Sequence, residues 1–282
     1  MKLKLLLLIL FLNPVHSRVQ GQTEAASIYN KMMVAMQQVH SCSFILETEE
    51  RIFGETKHAR YIAKLQVHPY QVYAYSITPN PGAEALYLEG KNNGKILINP
   101  NKFPFINLSL SPNSMLLRKN HQYTMLQMGF SYVHELLETY HKIEGPDFMK
   151  RIKSDGDINF QNRNYHVLEI NNPEYKIVTY KVLKGETVTS IAKKLHINDH
   201  IILELNPSIG DYSDVDSNDL IKVPSTFAKK IILYVDQKTF LPYVQITFDD
   251  KGLYGRVIMS SFVLNPAFGP LDFSRSNPKY HF

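Results

Sequence analysis

Apolar residues alternate with polar ones over much of this chain, and a period near four replaces the alternation in a few stretches. Phe44, Leu46 and Thr48 alternate, as do Tyr61, Ala63, Leu65 and Val67, and Val72 to Tyr75 continues the β-type composition. Tyr87–Leu88 and Ile96–Ile98 are short strand candidates separated by Gly90-Lys91-Asn92-Asn93-Gly94, a turn signal. Strands resume at Tyr165–Ile170 and Tyr175–Ile177, then at Lys230–Val235, Pro242–Phe248 and Leu253–Phe262, joined by turns at Asp236–Thr239 and Asp249–Gly252. Two longer segments have helical spacing. Thr23–His40 carries Ile28, Met32, Met36 and Val39, and Tyr123–Tyr140 carries Met125, Met128, Tyr132, Val133, Leu136 and Leu137. The pattern predicts an α+β fold, a meandering antiparallel sheet with helices at two places in the chain.

Tyr180 to Pro224 reads differently from its surroundings. Tyr180-Lys181-Val182 starts a strand, Gly185-Glu186-Thr187 turns, and Thr187 is placed to cap a helix whose Val188, Ile191, Ala192 and Leu195 share one face. Asp199 is the expected cap of a second short helix carrying Ile201, Ile202 and Leu205, and Asn206-Pro207 stops it. Ile221 and Val223 alternate as a closing strand. The order is strand, helix, helix, strand, and its outer strands are expected side by side, so the unit can replace a hairpin tip with boundaries at Thr179 and Ser225.

This stretch resembles the LysM module, a small βααβ domain that binds N-acetylglucosamine-containing glycans. Gly185-Glu186-Thr187-Val188, Ile191-Ala192, Asn206-Pro207 and Ile221-Lys222-Val223-Pro224 stand at family positions. The stretch departs from the family at Asn218, where glycine is usual, and in having Tyr180 and Tyr212 as its only aromatics. Asn tolerates the left-handed backbone that such a turn needs. The resemblance implies a glycan groove with Gly185, Glu186, Thr187 and Val188 on one wall and Pro207, Ser208 and Ile209 on the other. Peptidoglycan is then the expected partner.

The rest of the chain resembles domain of unknown function 1571, a family of exported bacterial proteins similar in fold to the lipoprotein carrier LolA and the receptor LolB. The carrying residues are Asp236-Gln237-Lys238-Thr239-Phe240-Leu241-Pro242, Phe248-Asp249-Asp250-Lys251-Gly252, Asn265-Pro266, Phe273, Gly82 to Tyr87 and His121. The resemblance implies a LolA-like antiparallel half-barrel with covering helices and an apolar pocket, open to a lipid or a lipoprotein segment. The expected organisation is a signal peptide at 1–21, a host domain in two parts at 22–179 and 225–282, and the module at 180–224.

Composition narrows the function. Lys2 and Lys4 precede the apolar run Leu5–Leu12, a secretory leader with cleavage near Gly21 and an envelope, periplasmic destination. Without Lys2, Lys4 and Arg18 the formal charge of +5 falls to about +2, and no basic block interleaves with aromatics, so nucleic acid is not an expected partner. The lone Cys42 permits no internal disulfide and reads as a buried apolar residue. His134-Glu135-Leu136-Leu137-Glu138 lacks the second histidine of a zinc-protease helix, and His134, Glu138 and His141 read as a solvated helix face. Asp249-Asp250 reads as a turn. No nucleophile elbow, paired-cysteine site or phosphate loop is present, so no catalytic residue, metal or cofactor is assigned. The expected function is a non-enzymatic envelope protein that binds peptidoglycan and holds an apolar ligand. The alternatives are a peptidoglycan hydrolase or modifying enzyme with an unrecognised site, and an envelope scaffold without a small ligand.

Overall fold

In the computed structural model, which describes residues 14–103 and 105–282 with side chains from Thr23 onward, most strands join one antiparallel sheet. The elements run α1 (Pro14–Gln37), β1 (Ser41–Ile52), β2 (Glu55–Gln66), β3 (Gln71–Thr78), β4 (Glu84–Leu88), β5 (Ile96–Asn99), β6 (Leu108–Leu110) and α2 (Met115–Arg118). A 3-10 turn at Met125–Gln127 precedes α3 (Phe130–Glu144), α4 (Pro146–Lys150), β7 (Ile152–Phe160), β8 (Arg163–Asn171) and β9 (Ile177–Lys181). Then come α5 (Val188–Leu195), α6 (Asp199–Leu205), β10 (Leu220–Pro224), β11 (Lys230–Asp236), β12 (Pro242–Asp249) and β13 (Gly252–Leu264). The basic and apolar residues of the expected leader, Lys2 to Leu12, lie outside the described residues. Helix α1 starts at Pro14 rather than at Thr23.

Among the described residues the large sheet has eleven strands in the order β6-β5-β4-β3-β2-β1-β13-β12-β11-β8-β7. The pairing of β1 with β13 joins the two ends of the chain at the centre of the sheet. Strands β8 and β11 are hydrogen-bonded neighbours although the whole segment from β9 to β10 lies between them in sequence. That segment builds a two-stranded sheet of its own, β9 against β10, with Tyr180 opposite Ile221 and Thr179 opposite Lys222. It also has its own apolar core of Val182, Val188, Ile191, Ala192, Ile202, Leu203, Ile221 and Val223. A hairpin connection thus carries a βααβ unit whose ends are adjacent, and the main sheet continues undisturbed across it.

Alternation gives the main sheet two faces. One packs on α1 and α3 around Met32, Phe44, Leu65, Phe130, Leu168, Leu233 and Met259, and Cys42 is buried in the same core. The other face, at β3 to β5, is covered by the C-terminal tail. Tyr280 stacks on Tyr73 at 3.8 Å between ring centroids, and Phe273 and Phe282 pack beside Leu86 and Leu97.

Two local details differ from the sequence pattern and two agree with it. The helix expected over Tyr123–Tyr140 is divided. Gly129 sits at φ +89, where a side chain is strained and its Cβ would meet Leu65 Cδ1 at 3.0 Å, so α3 begins at Phe130. Helix α6 is capped by Asn198, whose Oδ1 accepts from His200 N at 2.8 Å, and not by Asp199. Asp199 is drawn instead to a buried arginine, described below. Thr187 does cap α5, accepting from Ser190 N at 3.1 Å, and Asn218 does take the left-handed backbone at φ 79.

Candidate functional site

The strand register sets one row of side chains against another across the helix-covered face. Leu46, Thr48 and Glu50 of β1 stand opposite Met259, Val257 and Gly255 of β13, and these lead on to Gln245 and Thr247 of β12. In the other direction Tyr61 of β2 faces Ser76 of β3, while Ala63, Ala74 and Ala85 form a row of small residues across β2, β3 and β4 that ends on Ile98. Small side chains there leave room that the helices do not fill. Between this face and the segment from Leu116 to Leu137 lies a cavity of about 310 Å³. Its helix-side wall is Leu116, Leu117, Met125, Met128, Tyr132, Val133 and Leu136, mostly aliphatic and thioether groups. The volume is at the lower end of the range of roughly 300–1,000 Å³ that small-molecule sites occupy.

One sector of the cavity wall is polar. Glu50 is buried and accepts from Gln122 N at 3.0 Å, while its other oxygen lies 3.1 Å from His121 Nδ1. His121 Nε2 is 2.8 Å from the Tyr61 hydroxyl. Burial raises the Tyr61 pKa, with the charge of Glu50 adding to the effect, so the phenol keeps its proton. Thr48 Oγ1 and Ser76 Oγ, on strands flanking Tyr61, have no ordinary hydrogen-bond partner among the described residues. Ser76 stands beside Tyr61 without meeting ordinary hydrogen-bond geometry to it. The sequence reading missed this group of residues except for His121, which it named as a family position. Its signal was a charged residue, Glu50, in the same inward phase as Phe44 and Leu46.

The βααβ unit docks beside this sector. Arg118, 1% exposed, places Nη2 2.8 Å from Asp199 Oδ1 and Nη1 3.3 Å from Oδ2, donates Nε to His121 O at 3.2 Å, and lies 4.4 Å over the Tyr212 ring. It also donates to Gln122 O. A planar fork suits this task because it meets both carboxylate oxygens at once. Further along α6, Glu204 accepts from Phe53 N at 2.8 Å, and Tyr140 donates to His196 O at 3.0 Å.

His200 lies in the same joint, 3.0 Å from the Tyr212 hydroxyl and 3.6 Å from Glu204. Burial, aided by the positive charge of Arg118, lowers its pKa to about 4. The folded protein therefore resists the proton that the unfolded chain accepts near pH 6.5. Stability should be full above that pH and fall by about 3 kcal/mol in total as the pH drops to 4 and below. The Glu204 pKa is raised by burial and works in the opposite direction. Urea titrations of the protein and of His200→Asn from pH 7 to 4 isolate the effect. The variant should show a flatter profile, and equal slopes would remove His200 as its source.

The residues expected to form the glycan groove differ in exposure and engagement. Val188 is fully buried, and Ile209 packs against the same core. Gly185, Pro207 and Ser208 are exposed. Glu186 is engaged by Tyr180, Lys194 and the Leu183 amide. Thr187 opens onto a cleft shared with Ser111–Met115 and Asp211–Ser213. Neither tyrosine of the unit is a free platform, since Tyr212 is buried under Arg118 and Tyr180 holds Glu186 and Lys194. Outside the unit, Glu138 pairs with Lys142 at 3.0 Å, while His141 is not solvated as expected but stacks on Phe148 at 5.7 Å. Asp249 does more than turn the chain, because it is ion-paired with Arg51. Among the described residues no group of three or more His, Cys, Asp or Glu side chains is arranged to hold a metal ion, and no helix is long and apolar enough to cross a membrane.

An antiparallel sheet with helices on one face and an apolar cavity between them offers a site of the kind that small molecules occupy. The chain belongs to the family described as protein of unknown function DUF1571, whose model matches residues 39–184, just over half of its length. The match includes Gly82 to Tyr87 and His121, ends after β9, and leaves the hairpin texts at Asp236–Pro242 and Phe248–Gly252 outside. The chain is also similar to three crystal structures. A DUF1329 family protein from Desulfovibrio piger is 9% identical, with 91% of this chain and 98% of that one covered and a TM-score of 0.36. Lipoprotein LppX of Mycobacterium tuberculosis is 10% identical, with 87% and 98% covered and a TM-score of 0.39. LprF from Mycobacterium bovis is 11% identical, with 88% and 96% covered and a TM-score of 0.42. No curated protein matches.

Proposed function

We propose that the protein is a non-enzymatic component of the bacterial cell envelope that holds an apolar molecule, a lipid or a lipoprotein acyl chain, between its sheet and helices in the manner of LolA. The cavity of about 310 Å³ under α3 carries this reading. Its helix-side wall is mostly apolar, while Ala74 and Ala85 opposite withhold the bulk that would close it. Organic extraction of the purified protein followed by mass spectrometry tests the reading. A lipid in stoichiometric amount is expected, and an empty extract together with failure to bind an apolar dye would end it.

A second activity is favoured by the separate core and the capped α5 of the βααβ unit, which match the LysM pattern. On this reading the unit contacts N-acetylglucosamine glycan such as peptidoglycan and keeps the carrier near its membrane. Uncharged sugars gain only about 1 kcal/mol from each net hydrogen bond, so one unit should bind with a dissociation constant of roughly 10 μM to 1 mM. The full chain should be retained on insoluble peptidoglycan, and Ser208→Arg at the exposed wall should reduce that retention. Release of soluble muropeptides in the same assay would favour a hydrolase instead. Export through a cleaved leader belongs to the same proposal.

A further inference from the structure

We infer that the polar sector around Tyr61 selects ligands with an uncharged hydroxyl-bearing head and rejects fatty carboxylates. The inference rests on the carrier reading above and adds the chemical class of what is carried.

Charge limits what this sector can hold. Among the described residues, two groups on the cavity wall can be cationic, Arg118 and His121. Arg118 is already neutralised by Asp199 through both of its terminal nitrogens. His121 is already opposite Glu50. Whichever protonation state His121 takes, the local sum is zero or negative. A ligand carboxylate would be taken out of water with no free counter-charge, and Glu50 would repel it.

Hydrogen-bonding capacity points the same way. If His121 gives its Nδ1 proton to Glu50, then Nε2 accepts from Tyr61 and the phenol oxygen keeps acceptor capacity. A ligand hydroxyl can donate there, and a carboxylate cannot. Tyr61 is only partly buried, so the ring is not sealed from the cavity. Beside it, Thr48 and Ser76 line the same sector, and their hydroxyl oxygens are buried without an ordinary hydrogen-bond partner among the described residues. The free volume of about 310 Å³ suits a chain of medium length.

The experiment is displacement of the dye N-phenyl-1-naphthylamine from the full protein at pH 8 by 1-decanol, monodecanoylglycerol and decanoate. Both neutral compounds should compete at least tenfold better than decanoate, and Tyr61→Phe should shrink that ratio by severalfold. Equal or tighter binding of decanoate overturns the inference while leaving the carrier reading intact, as does an unchanged ratio in the variant. Failure of the dye itself to bind would overturn the carrier reading and this one with it. The comparison of ligands on the unaltered protein needs no variant to fold.

Discussion

Replacing Arg118 with alanine should lower the free energy of unfolding by about 3–5 kcal/mol, the cost of breaking a buried ion pair from one side. The guanidinium is 1% exposed and Asp199 8%, so neither group recovers its hydration when the other is removed. Asp199 would keep one weak partner, the Thr189 hydroxyl at 3.4 Å. The carbonyls of His121 and Gln122 would lose a shared donor, and Tyr212 the cation over its ring. Lysine should not rescue the site, because an ammonium cannot fork across two carboxylate oxygens and two carbonyls. The chain has no tryptophan and 17 tyrosines, so urea unfolding is best followed by tyrosine fluorescence with circular dichroism as a second probe. A double-mutant cycle with Asp199→Asn measures the pair itself. A loss below about 1 kcal/mol would mean that the joint is solvated and that the two cores are not held together through it.

That joint marks the boundary of what the sequence shows. The alternating strands, the βααβ order, the Thr187 cap and the left-handed Asn218 are local features. Each depends on residues a few positions apart, and the structure has each of them. The misplaced cap has a non-local cause. Asp199 is a good cap residue by type, yet Arg118 claims its carboxylate across 81 positions, and Asn198 takes over the cap. The break at Gly129 is similar, since its non-helical backbone at φ +89 and the close approach of Leu65, which leaves no room for a side chain there, appear only in the fold. The Glu50–His121–Tyr61 chain joins residues 71 and 60 positions apart, with no spacing for a motif to detect. Its visible trace was an acidic side chain on the apolar phase of β1. A cavity leaves a fainter trace still. Alanines read as ordinary strand residues until the register aligns Ala63, Ala74 and Ala85 in one row.

The same row provides the sharpest test of the cavity. Ala85→Phe should reduce the affinity for an apolar dye or for 1-decanol at least tenfold, a change of about 1.4 kcal/mol, and should not lower the melting temperature. What a larger side chain meets decides the outcome. In a filled core, added ring carbons force strained rotamers and cost about 1–3 kcal/mol. Ala85 instead lines open volume and is only partly buried, so a phenyl ring can enter it and gain contacts with the Ile98 and Met125 side of the wall. Binding and stability should then move apart, with ligand affinity falling while the fold holds or strengthens. Filled-core packing predicts the opposite pairing, a destabilised protein whose dye binding, if it has any, is unchanged. Ala74→Leu, on the neighbouring strand in the same row, should repeat the result more weakly because Ala74 is already buried. If both variants bind the dye as the unaltered protein does, the apolar ligand lies elsewhere, and the space beneath α3 is only an imperfection in packing.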